Sequence, residues 1–221
     1  MTLNEYNEIK NLNYFEYVEY LKEKYGESKY DYMTKTYNKN PKATRTKEGL
    51  FCHHVYEFKT IMLSHKGYAE RSPFEWQLKE NLVYCDYLEH LLLHILICDL
   101  YDKNDDNKIQ DAFVEGGVAP GQVPGVGGVV NFLVPELNDL YSGMPINLDW
   151  KKNCFDKVKD DLNCYITLVK RFYLEHQNYP CYDKNFIFRS FDEAYGTWSR
   201  SKNTQLTEKI LSMINDKSVA Y

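Results

Sequence analysis

The run from Leu88 to Leu100 (Leu-Glu-His-Leu-Leu-Leu-His-Ile-Leu-Ile-Cys-Asp-Leu) holds no Gly or Pro and is apolar around most of its circumference. Such a run predicts a buried helix. His90 and His94 lie four residues apart within it, so on a helix they share one face. Burying two imidazoles is costly unless each finds a partner. A divalent cation satisfies both at once, and neutral imidazole is the commonest metal ligand in proteins.

Five of the six histidines (His53, His54, His65, His90 and His94) fall in this part of the chain. Upstream, residues 49–56 (Gly-Leu-Phe-Cys-His-His-Val-Tyr) read as a short strand of apolar and aromatic residues. Neighbouring strand residues point to opposite faces, so His53 and His54 cannot do the same job. One is expected to ligate a metal while the other faces water or substrate. Asn81-Leu-Val-Tyr-Cys85 reads as a second strand, returning just ahead of the helix.

The ordered set His53-His54, Asn81, His90 and His94 on strand, strand and helix resembles the HNH (ββα-metal) endonuclease superfamily, including the small HNH-like proteins of phages and Gram-positive bacteria. The resemblance covers about residues 44–100, roughly a quarter of the chain. It implies His53, His90 and His94 as metal ligands, in the manner of the colicin-type nucleases. It implies His54 as general base and Asn81 as the residue that holds the base-bearing loop and orients His54. The implied cofactor is Mg²⁺ or Mn²⁺, with Zn²⁺ as the alternative. Two departures stand out: the long connection over residues 55–80, expected to form an inserted loop or short helix, and the absence of paired C-x-x-C zinc knuckles.

The implied activity is hydrolysis of phosphodiester bonds, in DNA rather than RNA. The alternative is a catalytically inactive module that binds nucleic acid or a protein partner, such as a phage accessory or defence-related protein. A net charge of −5 opposes non-specific nucleic-acid binding. The charge is uneven, however. Lys29, Lys35, Lys39, Lys42, Arg45 and Lys47 face only Asp31 in their stretch, with Tyr30, Tyr32 and Tyr37 interleaved as candidate stacking surfaces. Lys35, Lys39, Lys42, Arg45 and Lys47 are the candidate nucleic-acid contacts; a solvated loop with inward tyrosines is the alternative.

No apolar run reaches the ~18 residues that read as a membrane span. The polar start of the chain is unlike a signal peptide, so a cytoplasmic location is expected. The six cysteines form no C-x-x-C pair and are expected as free thiols. Asp102–Asn107 invites a calcium-loop reading, but Asn107 replaces the turn glycine and Phe113 the bidentate glutamate.

The expected fold is mainly α (α+β), with a hairpin-plus-helix motif embedded in additional helices. Residues 1–115 would hold an N-terminal helix ending at Tyr25–Gly26 and the HNH-like core. Residues 116–221 would hold a glycine-rich loop (Gly116–Gly128) and a helical region packed on the same core. In that region Trp150–Gln177 reads as one long helix, Ser190-Phe-Asp-Glu193 as a capping box, and Leu206, Ile210, Leu211 and Ile214 as a last helix.

Overall fold

The computed structural model describes residues 1–102, 124–176 and 200–215. These are mostly helical and include one two-stranded antiparallel sheet. The calcium-like turn, the Ser190 capping box, Cys181 and most of the glycine-rich segment lie outside the described residues. Among the described residues no helix is long and apolar enough to cross a membrane.

The expected N-terminal helix is two: α1 (Leu3–Ile9) and α2 (Tyr14–Tyr25). Asn13 separates them. Its side chain accepts from Phe15 and Glu16 N–H, and the Glu16 carboxylate accepts from Asn13 N–H, a reciprocal cap that fixes where α2 starts. Gly26 ends α2 at φ 77°, with its N–H bonded to Lys22 O.

Strands β1 (Phe51–His54) and β2 (Leu82–Cys85) pair with His53 opposite Val83 and His54 opposite Leu82. Each is shorter than its sequence suggests. After His54 the chain winds into a 3₁₀ turn, Val55–Phe58, and Asn81 ends another 3₁₀ turn rather than opening β2. The long connection carries the short helix α3 (Lys66–Ala69), where His65 accepts from Gly67 N–H. His65 thus serves as the N-cap of α3.

Alternation divides the hairpin cleanly. Val83 and Cys85 join the main core, whereas Cys52 and Leu82 face a small second cluster with Tyr32, Met33 and Ala43. Helix α4 (Tyr87–Asp102) follows β2 at once and is opened by a second reciprocal cap. Asp86 Oδ1 accepts from Glu89 N–H, and Glu89 Oε2 accepts from Asp86 N–H. This sets the phase of α4 and turns its histidine face toward β1.

Beyond α4, a π-helical turn over Gly128–Leu133 runs into α5 (Val134–Tyr141). The expected helix over 150–177 is broken into α6 (Asp149–Asp156) and α7 (Leu162–Glu175). Tight turns at Val158 and Asp161 make the break. It lets α6 lie against the Thr46–Gly49 segment, so close that a Cβ on Gly49 would sit 2.6 Å from Asn153 O, while Val158 stays buried. Helix α8 (Arg200–Asn215) adds Leu206 and Ile210 to the same core as α1, α2 and α4.

Candidate metal centre

The end of β1 and the first half of α4 bring three histidines together. His53 ring lies 5.2 Å from the rings of both His90 and His94, which are 4.9 Å from each other. Each offers a nitrogen within 4.8 Å of the other two, and His90 and His94 turn their Nε2 atoms toward each other at 3.3 Å. His53 is buried by the hairpin and His94 is nearly so. The helical spacing of four and the strand alternation thus deliver the same three residues that the sequence singles out.

A fourth group enters from the turn after β1. Glu57 Oε2 is 3.5 Å from His53 Nδ1 and 3.6 Å from His94 Nε2, and its Oε1 is 3.8 Å from His54 Nδ1. The Glu57 side chain is only 14 % exposed, so its charge has little help from solvent.

Electrostatics sort these groups into complementary forms. Burial pushes His53 down to about 3, with Glu57 opposing only part of the effect. Burial likewise lowers His90, well below the usual histidine range, and lowers His94. Burial works against the ionised Glu57 carboxylate, but the surrounding His53, His54 and His94 outweigh it and hold the carboxyl below the ordinary range. Burial thus favours the neutral form of the three imidazoles, and positive charge on or between them favours the Glu57 carboxylate. The buried Nδ1 atoms of His53, His90 and His94 have no hydrogen-bond partner.

His54 faces the other side of the hairpin, as alternation requires. It is buried, with its ring 4.4 Å from that of Tyr32. Its Nε2 meets Gln77 Oε1 at 3.1 Å, and Gln77 Nε2 donates to Leu63 O at 3.1 Å. Because a carbonyl only accepts, the Leu63 bond fixes which end of the amide faces the histidine. His54 Nε2 must therefore carry a hydrogen and donate it to Gln77.

Comparison with protein-family models, with curated proteins and with solved structures returns no match.

The expected partner of His54 is displaced. Asn81 Nδ2 donates to Glu75 O at 2.7 Å and secures the 75–81 turn. The residue bonded to His54 is Gln77, which sits in an irregular segment with no periodicity to mark it. Glu57 had a faint signal, three residues beyond His54 and four beyond His53.

The basic stretch divides as well. Lys35, Lys39, Lys42 and Lys47 are exposed. Lys39 lies over the Tyr32 ring and Lys42 over the Tyr30 ring. Arg45 is committed within the fold: to the Glu48 carboxylate, to Tyr25 O at 2.6 Å, and over the Tyr84 ring at 4.7 Å.

The glycine-rich segment returns to this site at its described end. A Cβ on Gly128 would lie 2.3 Å from His94 Nδ1, and one on Gly125 would lie 2.5 Å from His94 O. Only glycine lets this backbone close over the α4 histidine face. Gly125, at φ 86°, also requires glycine for its conformation.

The donor set fits a divalent cation. Three neutral imidazoles converge, and a carboxylate stands beside two of them. A second group of metal-ligating type, Asp99, Glu175 and His176, is already filled by protein charge. Arg171 bonds Asp99 at 2.7 Å and Glu175 at 3.1 Å, and His176 lies 3.0 Å from Asp99.

Proposed function

We propose that this chain is a divalent-metal-dependent phosphodiester hydrolase of the HNH (ββα-metal) type, acting on nucleic acid, with DNA the favoured substrate. The observation that carries the reading is the convergence of His53, His90 and His94 from the end of β1 and the face of α4. His53 comes from the first strand of the hairpin and His90 and His94 from the helix that follows the second, the arrangement that the resemblance to the HNH motif implies.

Imidazole-rich donor sets suit Zn²⁺ and other first-row transition ions better than Mg²⁺, which prefers carboxylate and water oxygens. The three imidazoles therefore favour Zn²⁺ over Mg²⁺ and Mn²⁺. A cation held here supplies Lewis-acid stabilisation of charge on phosphoryl oxygens. His54 is the proposed base: with Nε2–H donated to Gln77, its lone pair is at Nδ1, the atom 3.8 Å from Glu57 Oε1. A proton leaving water is thus received at Nδ1, and the Gln77–Leu63 chain holds the ring while it is. The exposed Lys35, Lys39, Lys42 and Lys47 are the groups proposed to meet backbone phosphates.

The burial of His54 and the nearness of Glu57 to two ligands favour a second reading, a catalytically silent module with a closed structural metal site. Plasmid incubated with Mg²⁺, Mn²⁺ or Zn²⁺, with and without chelator, separates the two. Metal-dependent nicking that His54→Ala abolishes supports the nuclease. Metal binding without nicking under any ion supports the silent module.

A further inference from the structure

Tyr14, on α2 and outside the histidine motif, reaches the centre through its hydroxyl. The O–H donates to Val55 O at 2.8 Å, and the same oxygen lies 3.2 Å from His53 Nε2. Tyr14 is 1 % exposed, and its ring is held edge-on between Phe15 and Phe58.

A phenol has one hydrogen. The Val55 carbonyl can only accept, and it holds the shorter contact, so the hydroxyl hydrogen belongs there. Turned the other way, the phenol oxygen would face a carbonyl oxygen at 2.8 Å with no hydrogen between them. The contact to His53 must therefore run from the ring to the phenol, with Nε2–H donating to Tyr14 oxygen. A neutral imidazole protonated at Nε2 has its lone pair at Nδ1. That atom faces Glu57 Oε2 at 3.5 Å, is buried, and has no hydrogen-bond partner. A lone pair aimed at a carboxylate is unfavourable until a cation lies between them.

We infer that Tyr14 is a positioning residue for the metal centre: by accepting the Nε2–H of His53 it fixes the tautomer that presents Nδ1 as the ligand atom. Metal-bound histidines generally give their other N–H to a carboxylate, a backbone carbonyl or water, and loss of such a partner costs about 10–100-fold in metal affinity. Here a tyrosine oxygen takes that part, itself oriented by the carbonyl of the residue that follows the His-His pair. The inference rests on the metal-centre reading above.

The test is zinc affinity by chelator competition for the full chain and for Tyr14→Phe, which keeps the ring and removes the hydroxyl. The expected result is a Kd raised about 10–100-fold. A merely structural tyrosine would lower thermal stability and leave Kd unchanged. A second measurement needs no variant: ¹⁵N–¹H NMR of the zinc-saturated, histidine-labelled protein, where His53 should show a protonated Nε2 and a metal-bound Nδ1. Wild-type zinc affinity in Tyr14→Phe, or a His53 protonated at Nδ1, overturns the role of Tyr14 alone. Failure of the wild-type chain to bind zinc overturns the metal centre and this role with it.

Discussion

Replacing Gly128 by Ala perturbs the centre without touching any ligand. The added Cβ falls 2.3 Å from His94 Nδ1, 2.4 Å from Cε1 and 2.6 Å from Cγ, where ordinary contact begins at 3.4 Å. Ring and backbone must therefore separate by about 3.4 − 2.3 = 1.1 Å. Metal–ligand distances tolerate only about 0.2 Å, so a ring that gives way takes Nε2 out of bonding reach. Forcing a carbon into a filled site costs about 1–3 kcal/mol. A domain of this size loses about 2–4 °C in Tm per kcal/mol. A site saturated at 100 times its Kd stabilises the fold by about 2.7 kcal/mol; a tenfold weaker site at the same zinc concentration contributes only about 1.4 kcal/mol. Thermal unfolding with and without zinc reads both effects: a lower Tm in chelator, and a smaller rise when zinc is restored. A Gly128→Ala protein with wild-type Tm and wild-type zinc response would refute the close packing of the glycine segment on His94.

Three further outcomes follow from the same geometry. Gln77→Leu strands the Nε2–H of buried His54 and should cost about 1–3 kcal/mol in urea unfolding, while Asn81→Ala should leave the His54 ring signals in NMR unmoved; the reverse pattern would restore Asn81 as the orienting residue. In chelator, His53 stays neutral in the folded chain down to about 3, and His90 and His94 are lowered too, whereas unfolded histidines protonate near ~6.5. The unfolded state alone gains protons as pH falls below ~6.5, so this stability is present above that value and is lost toward pH 3, by up to about 1.4 kcal/mol per pH unit per histidine; urea midpoints that stay flat from neutral pH into this window would contradict it. Charge reversal at Lys35 and Lys47 should weaken DNA binding in gel shifts and flatten its salt dependence by about one ion per contact, whereas Arg45→Ala should act on fold stability, since its guanidinium already holds Glu48 and Tyr25 O; unchanged DNA binding in the lysine variants would place the interface elsewhere.

What could be read from the sequence was local and periodic. The spacing of four in His90 and His94 put both on one face of α4, and alternation put His53 and His54 on opposite faces of β1. Two further signals are local: Asp86-Tyr-Leu-Glu89 caps α4 as Asn13-Tyr-Phe-Glu16 caps α2, and Glu57, which the HNH resemblance places shortly after His-His, follows the histidines within one turn. The break between α6 and α7 escaped because Phe155, Val158 and Leu162 keep helical spacing across it. The break brings α6 against the Thr46–Gly49 segment, a tertiary contact that the spacing does not encode. Gln77 and Tyr14 were beyond reach for another reason. Each meets its histidine through a contact over 23 or 39 residues of chain, set by tertiary placement that no local pattern encodes.

The central claim is that His53, His90 and His94 hold one divalent cation. It is tested most directly by metal stoichiometry and affinity on the metal-stripped full chain, measured beside His90→Ala. One zinc ion is expected per wild-type chain, with affinity sharply reduced in His90→Ala while helical content, by circular dichroism, is retained. A wild-type chain that takes up no stoichiometric ion, or a His90→Ala chain that binds as well as wild type, would contradict it.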